Sequence, residues 1–300
     1  MKTFLLKLSA ITVGIFLQSQ YTAAAVNIEA STGIEQDSNL NVVELDQQSK
    51  ESDMAALLGL KLDVSSKHVD KLSVSGGYSY NSKNYRTNKN FNLAIHQFNA
   101  DANYDFDAMT IGLSHHYADA ILDKDSFLVL NQTSFYASKL INDFLYLRAA
   151  TNFQDKSFNA AKERNAHNLG FSSDAFIFFN HGKTFVAVSL GKDKEDARTN
   201  SLDYTTNQYS AKASHKFMLG KKEQKIQLGW RHIERNYSSI TEEINAERYD
   251  TSQIIDINWE ISLTQSISIE TKIENGKYDS NFAPADYAEN RASVKLKAYF

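Results

Sequence analysis

The last ten residues, Arg291 to Phe300, alternate apolar and polar side chains. Successive side chains of an extended strand point to opposite faces, so Ala292, Val294, Leu296, Ala298 and Phe300 share one face, while Ser293, Lys295, Lys297 and Tyr299 share the other. The same period of two recurs upstream. Ile255, Ile257, Trp259 and Ile261 oppose Asp256, Asn258 and Glu260, and Ile267, Ile269 and Ile273 oppose Ser268, Glu270, Lys272 and Glu274. Earlier, Leu58, Leu60, Leu62 and Val64 oppose Lys61 and Asp63, and Leu72, Val74, Tyr78 and Tyr80 oppose Ser73, Ser75 and Ser79. Alternation bounded by turn signals predicts strands at about 26–35, 53–64, 69–82, 91–104, 107–119, 126–139, 142–155, 164–179, 183–195, 204–219, 224–238, 248–262, 265–278 and 287–300. The strand over 126–139 has the least alternation, because Phe127 to Leu130 is apolar on both faces.

These segments exceed the ~5–6 residues usual in soluble sheets and reach the ~9–11 that a tilted membrane-crossing strand requires. The connections alternate in length as well. Short links fall near 65–68, 105–106, 140–141, 180–182, 220–223 and 264; longer polar links fall near 36–51, 83–90, 119–125, 156–164, 196–204, 239–247 and 280–287. Short turns on one side and longer loops on the other are the asymmetry of periplasmic turns and extracellular loops, with both chain ends periplasmic.

The face opposite the apolar one decides between a membrane barrel and a soluble β-sandwich or lipocalin-like barrel. It carries Glu29, Lys61, Asp63, Asp101, Arg148, Asp174, Lys212, Lys216, Arg231, Asp256, Glu260, Glu270, Lys272, Glu274, Lys295 and Lys297. A dry interior would lose several kcal/mol of hydration for each unpaired ion. A water-filled lumen would not. The expected fold is therefore all-β: a transmembrane antiparallel up-and-down β-barrel of about 14 strands, over residues 26–300, with lipid on the outside.

Composition agrees and adds a location. Lys2 and Lys7, the apolar run Leu8 to Leu17 and Ala23-Ala24-Ala25 have the build of an export signal over residues 1–25, placing the mature start at Val26. The apolar run is shorter than the roughly 20 residues of a spanning helix. No cysteine follows the cleavage site to take a lipid, and none occurs anywhere, which removes disulfides, thiolate metal sites and thiol nucleophiles. The single proline, Pro284, suits long uninterrupted strands. A mean hydropathy of −0.44 is what alternating lipid-facing and lumen-facing residues average to, and the 18 Phe and 15 Tyr suit aromatic girdles. The net charge of −4 is spread along the chain and gives no sign of a nucleic-acid partner. The expected site is the cell outer membrane, with its lipids as the first partner.

Candidate chemistry is sparse. His115 and His116 are neighbours on a strand, so their imidazoles point to opposite faces and do not converge on a metal. His232 and Glu234 share a face, but no serine nucleophile stands at a readable spacing. Asp37-Ser38-Asn39 and Asp279-Ser280-Asn281 lack the spaced ligands of a calcium loop and read as solvated turns. No catalytic, cofactor or metal residue is assigned. The candidate lumen lining is Lys61, Asp63, Asp101, Arg148, Asp256, Glu260, Glu270, Lys272, Glu274, Lys295 and Lys297. It reads first as a lattice of cross-strand ion pairs worth roughly 0.2–1 kcal/mol each, and second as a selectivity lining for a solute or a polypeptide.

The segment Gly33-Ile34-Glu35-Gln36-Asp37-Ser38-Asn39-Leu40-Asn41 resembles the opening of the barrel domain of the surface lipoprotein assembly modifier (Slam) family. Gly77-Tyr78-Ser79-Tyr80, Asn142-Asp143-Phe144-Leu145-Tyr146-Leu147-Arg148, Phe178-Phe179-Asn180-His181-Gly182 and Gly276-Lys277-Tyr278-Asp279-Ser280-Asn281 extend the likeness over the mature chain. The resemblance implies a barrel of about 14 strands that translocates or displays surface lipoproteins or secreted proteins, without enzymatic activity. Members carry periplasmic helical repeats before the barrel. Here the barrel begins almost at Val26, which implies a barrel-only relative with a separate periplasmic partner, or a simple pore; the alternatives to translocation are a passive porin-like channel for small solutes and a structural or adhesive surface barrel.

The closing strand has a second expected role. Its outward row, Val294, Leu296, Ala298 and Phe300, pairs with Ile28, Ala30, Thr32 and Ile34 to close the sheet, and is the expected signal for the barrel-assembly machinery. Deleting Phe300 should lower the amount of heat-modifiable barrel recovered in outer membranes; wild-type levels without it would contradict that role.

Overall fold

Period-two patterning becomes fourteen long strands: β1 (Ala25–Asp37), β2 (Asp53–His68), β3 (Leu72–Tyr85), β4 (Leu93–Asp105), β5 (Thr110–Leu122), β6 (Asp125–Ile141), β7 (Leu145–Phe158), β8 (Ala166–Phe179), β9 (Thr184–Ala197), β10 (Tyr204–Leu219), β11 (Lys222–Thr241), β12 (Ala246–Ser262), β13 (Ile267–Ser280) and β14 (Tyr287–Tyr299). The computed structural model describes residues 24–68 and 71–300, so nearly all of the expected export signal lies outside the described residues. Each strand pairs antiparallel with its sequence neighbour, and β1 pairs with β14 to close the barrel. Helical structure among the described residues is confined to short 3-10 turns in connections.

Closure follows the expected register. Ala30, Thr32 and Ile34 face Ala298, Leu296 and Val294, and Phe300 donates its backbone N–H to the Ile28 carbonyl at 3.0 Å. Every strand thereby has two partners, as backbone in hydrocarbon requires. The seam is close: a Cβ added to Gly33 would meet the Val294 carbonyl oxygen, so only glycine fits there without a shift. Ala25 pairs with Ser65 near the end of β2, which puts the start of β1 and the end of β14 at one rim, as expected.

Outward rows are apolar and exposed: Leu58, Ile255, Ile257, Val294 and Leu296 would be anomalous in water but are the lipid contact of a barrel. Inward rows are the polar ones, as with Lys61 and Asp63 on β2 and Glu270 and Lys297 on β13 and β14, which pair with one another along or between neighbouring strands.

The loops differ from expectation at two places. Residues 119–125 are not a long link, since β5 and β6 meet at Asp123 and Lys124, whose φ values of 46° and 75° make a two-residue turn of the hairpin-favouring hand. Asp tolerates this left-handed backbone because its short polar side chain satisfies local groups. At 239–247, β11 runs on to Thr241, helped by a register shift between Asn236 and Ile240, and leaves only residues 242–245 as a link. The asymmetry between the two rims is thus carried by residues 38–52, the longest link, together with 86–92, 159–165, 198–203 and 281–286. The run Phe127 to Leu130 does form strand; a register shift opposite it, between Ala120 and Ile121, accommodates its lack of alternation.

Candidate functional site

Residues 38–52 do not project into solvent. They form a two-stranded ribbon of Asn41–Val42 with Gln47–Gln48 around a 3-10 turn, Val43–Leu45, and this ribbon folds over the outer mouth. Its anchor is Leu40, which is 0% exposed and packs with Ala55, Tyr85 and Phe91. Asp37 and Asn39 are not solvated turn residues as expected. Asp37 accepts a hydrogen bond from Tyr85 Oη at 2.8 Å, and Asn39 Oδ1 accepts one from the Lys50 backbone N–H at 3.0 Å. Burial of Leu40 drags both polar neighbours inward, where each must find a partner.

At the tip of the ribbon Asp46 takes a left-handed backbone (φ 54°) and spans the mouth. Its carboxylate accepts from Arg164 Nη2 at 2.7 Å and from Arg248 at 2.7 and 3.1 Å. Arg164 precedes β8 and Arg248 lies on β12, so one carboxylate ties together two distant parts of the wall. Arg248 is held in turn by Asp250 at 2.7 Å, and Arg164 also donates to the Glu44 carbonyl at 3.1 Å. Beside this, Lys156 bridges Glu195 at 2.8 Å and Glu44 at 3.5 Å, while Tyr204 Oη donates to Glu195 at 2.6 Å. Burial alone would raise the Asp46 and Glu44 pKa values, but Arg248 and Arg164 around Asp46, and Lys156 and Arg235 around Glu44, outweigh it and hold both carboxyls below their ordinary range.

The expected lumen residues all lie on inward rows. On β12, β13 and β14 they are mostly paired: Glu270 with Lys297 at 2.6 Å, Lys272 with Glu274 at 2.6 Å, and Glu274 with Arg291 at 3.2 Å. Glu260 accepts from Tyr299 Oη at 2.8 Å and lies 3.9 Å from Lys297. Lys61 and Asp63 pair along β2 at 2.7 Å. Asp101 instead accepts from Tyr136 Oη at 2.9 Å, and Arg148 stacks on that ring at 4.3 Å. Among the described residues Asp256, Lys295 and Arg148 have no ion-pair partner within 4 Å, so the lattice is not complete. His115 and His116 do face opposite sides, His115 bonding Thr133 on the outer face at 3.0 Å. His232 and Glu234 sit 3.2 Å apart on the outer face beside Trp230.

The space left inside runs along β4–β11. A cavity of about 440 Å³, lined by Gln132, Gln154, Asn168 and Arg235, shares Asp174 with a second of about 510 Å³ lined by Asp101, Tyr136, Arg148 and Phe176. Sequence reasoning missed Glu44, Asp46, Arg164 and Arg248. The available signal was the apolar set Leu40, Val42, Val43 and Leu45 inside an otherwise polar link.

No family model and no curated relative matches the sequence. Solved structures do match in shape. Outer-membrane expressed OmpT of Vibrio cholerae aligns with a TM-score of 0.54 and 11% identity over 94% of this chain and 99% of its own. The anion-selective porin from Comamonas acidovorans aligns with a TM-score of 0.52 and 9% identity over 93% of this chain and 99% of its own. This chain is an integral outer-membrane β-barrel protein. At such identities the likeness shows the fold alone, and the chemistry of the lumen follows from this chain's own residues.

The Asp46 clamp sets a pH dependence. A carboxyl whose docked pKa lies below its ordinary value stabilises docking fully above that ordinary value, about 3.9 for Asp, and loses the contribution as pH falls through the lower docked value. Hydrogen exchange of residues 41–48 should therefore stay slow from pH 7 to about 4 and quicken only below. In Asp46→Asn it should be fast at neutral pH already; a ribbon released between pH 7 and 5 would contradict the clamp.

Proposed function

We propose that this protein is a non-enzymatic channel for small polar solutes, narrowed at its outer mouth by the ribbon of residues 41–48. The observation that carries the reading is the pair of adjoining cavities along the inner wall, about 440 and 510 Å³, which share Asp174 and are bounded mostly by polar side chains rather than by a packed apolar core. A barrel of this size falls between the side-chain-filled interior of ~8 strands and the open channel of ~16–18. The ribbon occupies the mouth and leaves the space below it free. Planar-bilayer recordings of the purified barrel should show small single-channel steps. Replacing residues 41–48 with Gly-Ser-Gly-Ser should enlarge those steps severalfold, and a barrel silent in both forms would overturn the channel.

The likeness to Slam barrels supports a second reading, translocation or surface display of a lipoprotein or secreted protein, and one feature of the wall favours it. The ladder between β1 and β14 is the shortest in the barrel, running from Glu29–Tyr299 to Asp37–Arg291, whereas β1 pairs with β2 from Ala25–Ser65 to Asp37–Asp53. Fewer cross-strand pairs make this the least costly place for the wall to open. Locking it with Thr32→Cys and Leu296→Cys should abolish surface display of cargo while leaving single-channel steps unchanged. A surface proteome that is unchanged both by the locked seam and by deletion of the gene would sink this reading.

A further inference from the structure

The two halves of the lumen wall are chemically unlike. Inward rows of β12–β14 are rich in acids and bases, most of them in ion pairs, but those of β6–β8 are largely amides and hydroxyls joined in a chain. Gln154 Nε2 donates to Gln132 Oε1 at 3.1 Å, and Asn168 Nδ2 donates to Gln154 Oε1 at 3.2 Å and to Glu195 Oε2 at 2.9 Å. A step further down, Ser134 Oγ donates to Asn152 Oδ1 at 2.7 Å and Asn152 Nδ2 donates to Ser172 Oγ at 3.3 Å. These groups face the cavity of about 440 Å³, and Asn168 Oδ1 is buried there without a hydrogen-bond partner. Among the described residues, the charges without an ion-pair partner within 4 Å along this side are of both signs, Asp101, Asp174 and Asp193 against Arg148 and Arg235, so the wall carries no strong excess of either sign.

Below Asp174 the wall turns aromatic. Tyr146 and Phe176 meet edge-on with centroids 5.9 Å apart, and Phe176 lies 6.4 Å from both Phe178 and Phe185. The strand register puts all four on inward rows, where no lipid covers them. Apolar rings presented to a wet lumen call for an occupant with its own apolar face.

Amides that present donors and acceptors together, next to aromatic faces and within a cavity of ligand size, match one solute class: a polyol whose hydroxyls each give and take a hydrogen bond and whose ring carbons offer C–H faces. We infer that the β6–β9 side of the lumen is a binding track for neutral oligosaccharides. The inference deepens the channel reading above by naming its solute, and the two fail separately.

The test uses maltotriose and the intact purified barrel in two measurements. Equilibrium dialysis reads the site, and bilayer recording reads the channel. Saturable maltotriose binding together with block of the single-channel current supports both. Conductance without binding or block overturns the sugar track and leaves the channel; binding to a silent barrel overturns the channel and leaves the track. Gln154→Leu with Asn168→Leu removes two amide positions and should weaken binding about tenfold. Phe176→Ala, which leaves the hydrogen-bonded chain in place, should weaken it severalfold, and Lys272→Gln on the opposite wall should leave it unchanged. Tighter binding of trigalacturonate than of maltotriose, or equal loss in Lys272→Gln, would overturn a neutral-sugar assignment.

Discussion

Hydrocarbon offers no partner to a backbone N–H or C=O, so a sheet crosses a bilayer only if its two free edges find each other. Here that requirement rests on the contact between β1 and β14. Its register, Thr32 opposite Leu296 and Ile34 opposite Val294, is fixed from both sides at once: a slip of one residue would send the apolar row into the lumen and Lys295 and Lys297 into lipid. The close approach at Gly33 reinforces the same register, because a side chain there would strike the Val294 carbonyl. Once the edges are joined, the sorting of side chains follows without further instruction, apolar rows outward and polar rows inward.

A polar interior creates the next problem, since charged rows facing one another across a narrow lumen must be neutralised or hydrated. The wall solves it differently on its two sides. Near the seam, Glu270 with Lys297 and Glu274 with Lys272 and Arg291 form short cross-strand and along-strand pairs that need little space. Away from it, amides and hydroxyls bond one another and leave cavities. An ion-pair lattice stiffens a wall, whereas neutral polar groups tolerate exchange of one hydrogen-bond partner for another. The second property is what passage of a hydrated solute requires.

Period-two alternation made most of this legible in the sequence, because strand length, strand number and the facing of residues such as Lys61, Asp256 and Lys297 all depend on it. What lay outside its reach depends on contacts between residues distant in sequence. Asp46 meets Arg164 and Arg248 only because the barrel closes; its apolar neighbours Val42, Val43 and Leu45 mark the link as one that docks, but name no partner for the carboxylate. Asp37-Ser38-Asn39 has the composition of an exposed turn, yet the neighbouring Leu40 buries Asp37 and Asn39. Strands run past the expected links at 119–125 and 239–247 for a related reason: polar residues continue a strand wherever both neighbours still offer backbone partners above the membrane.

The mouth and the seam are mechanically joined through Asp37. It closes the β1 ladder opposite Arg291, lies 3.5 Å from that guanidinium, and accepts from Tyr85, which belongs to the same apolar cluster as Leu40 at the root of the ribbon. A displacement of the ribbon that withdrew Leu40 would therefore loosen the packing on Tyr85 and, through Asp37, the outer end of the shortest ladder in the barrel. Conversely, a load that parted β1 from β14 would unseat Asp37 and with it the root of the ribbon. The ribbon over the mouth and the β1–β14 seam are therefore tied through one buried carboxylate, so the two elements share a latch rather than moving independently.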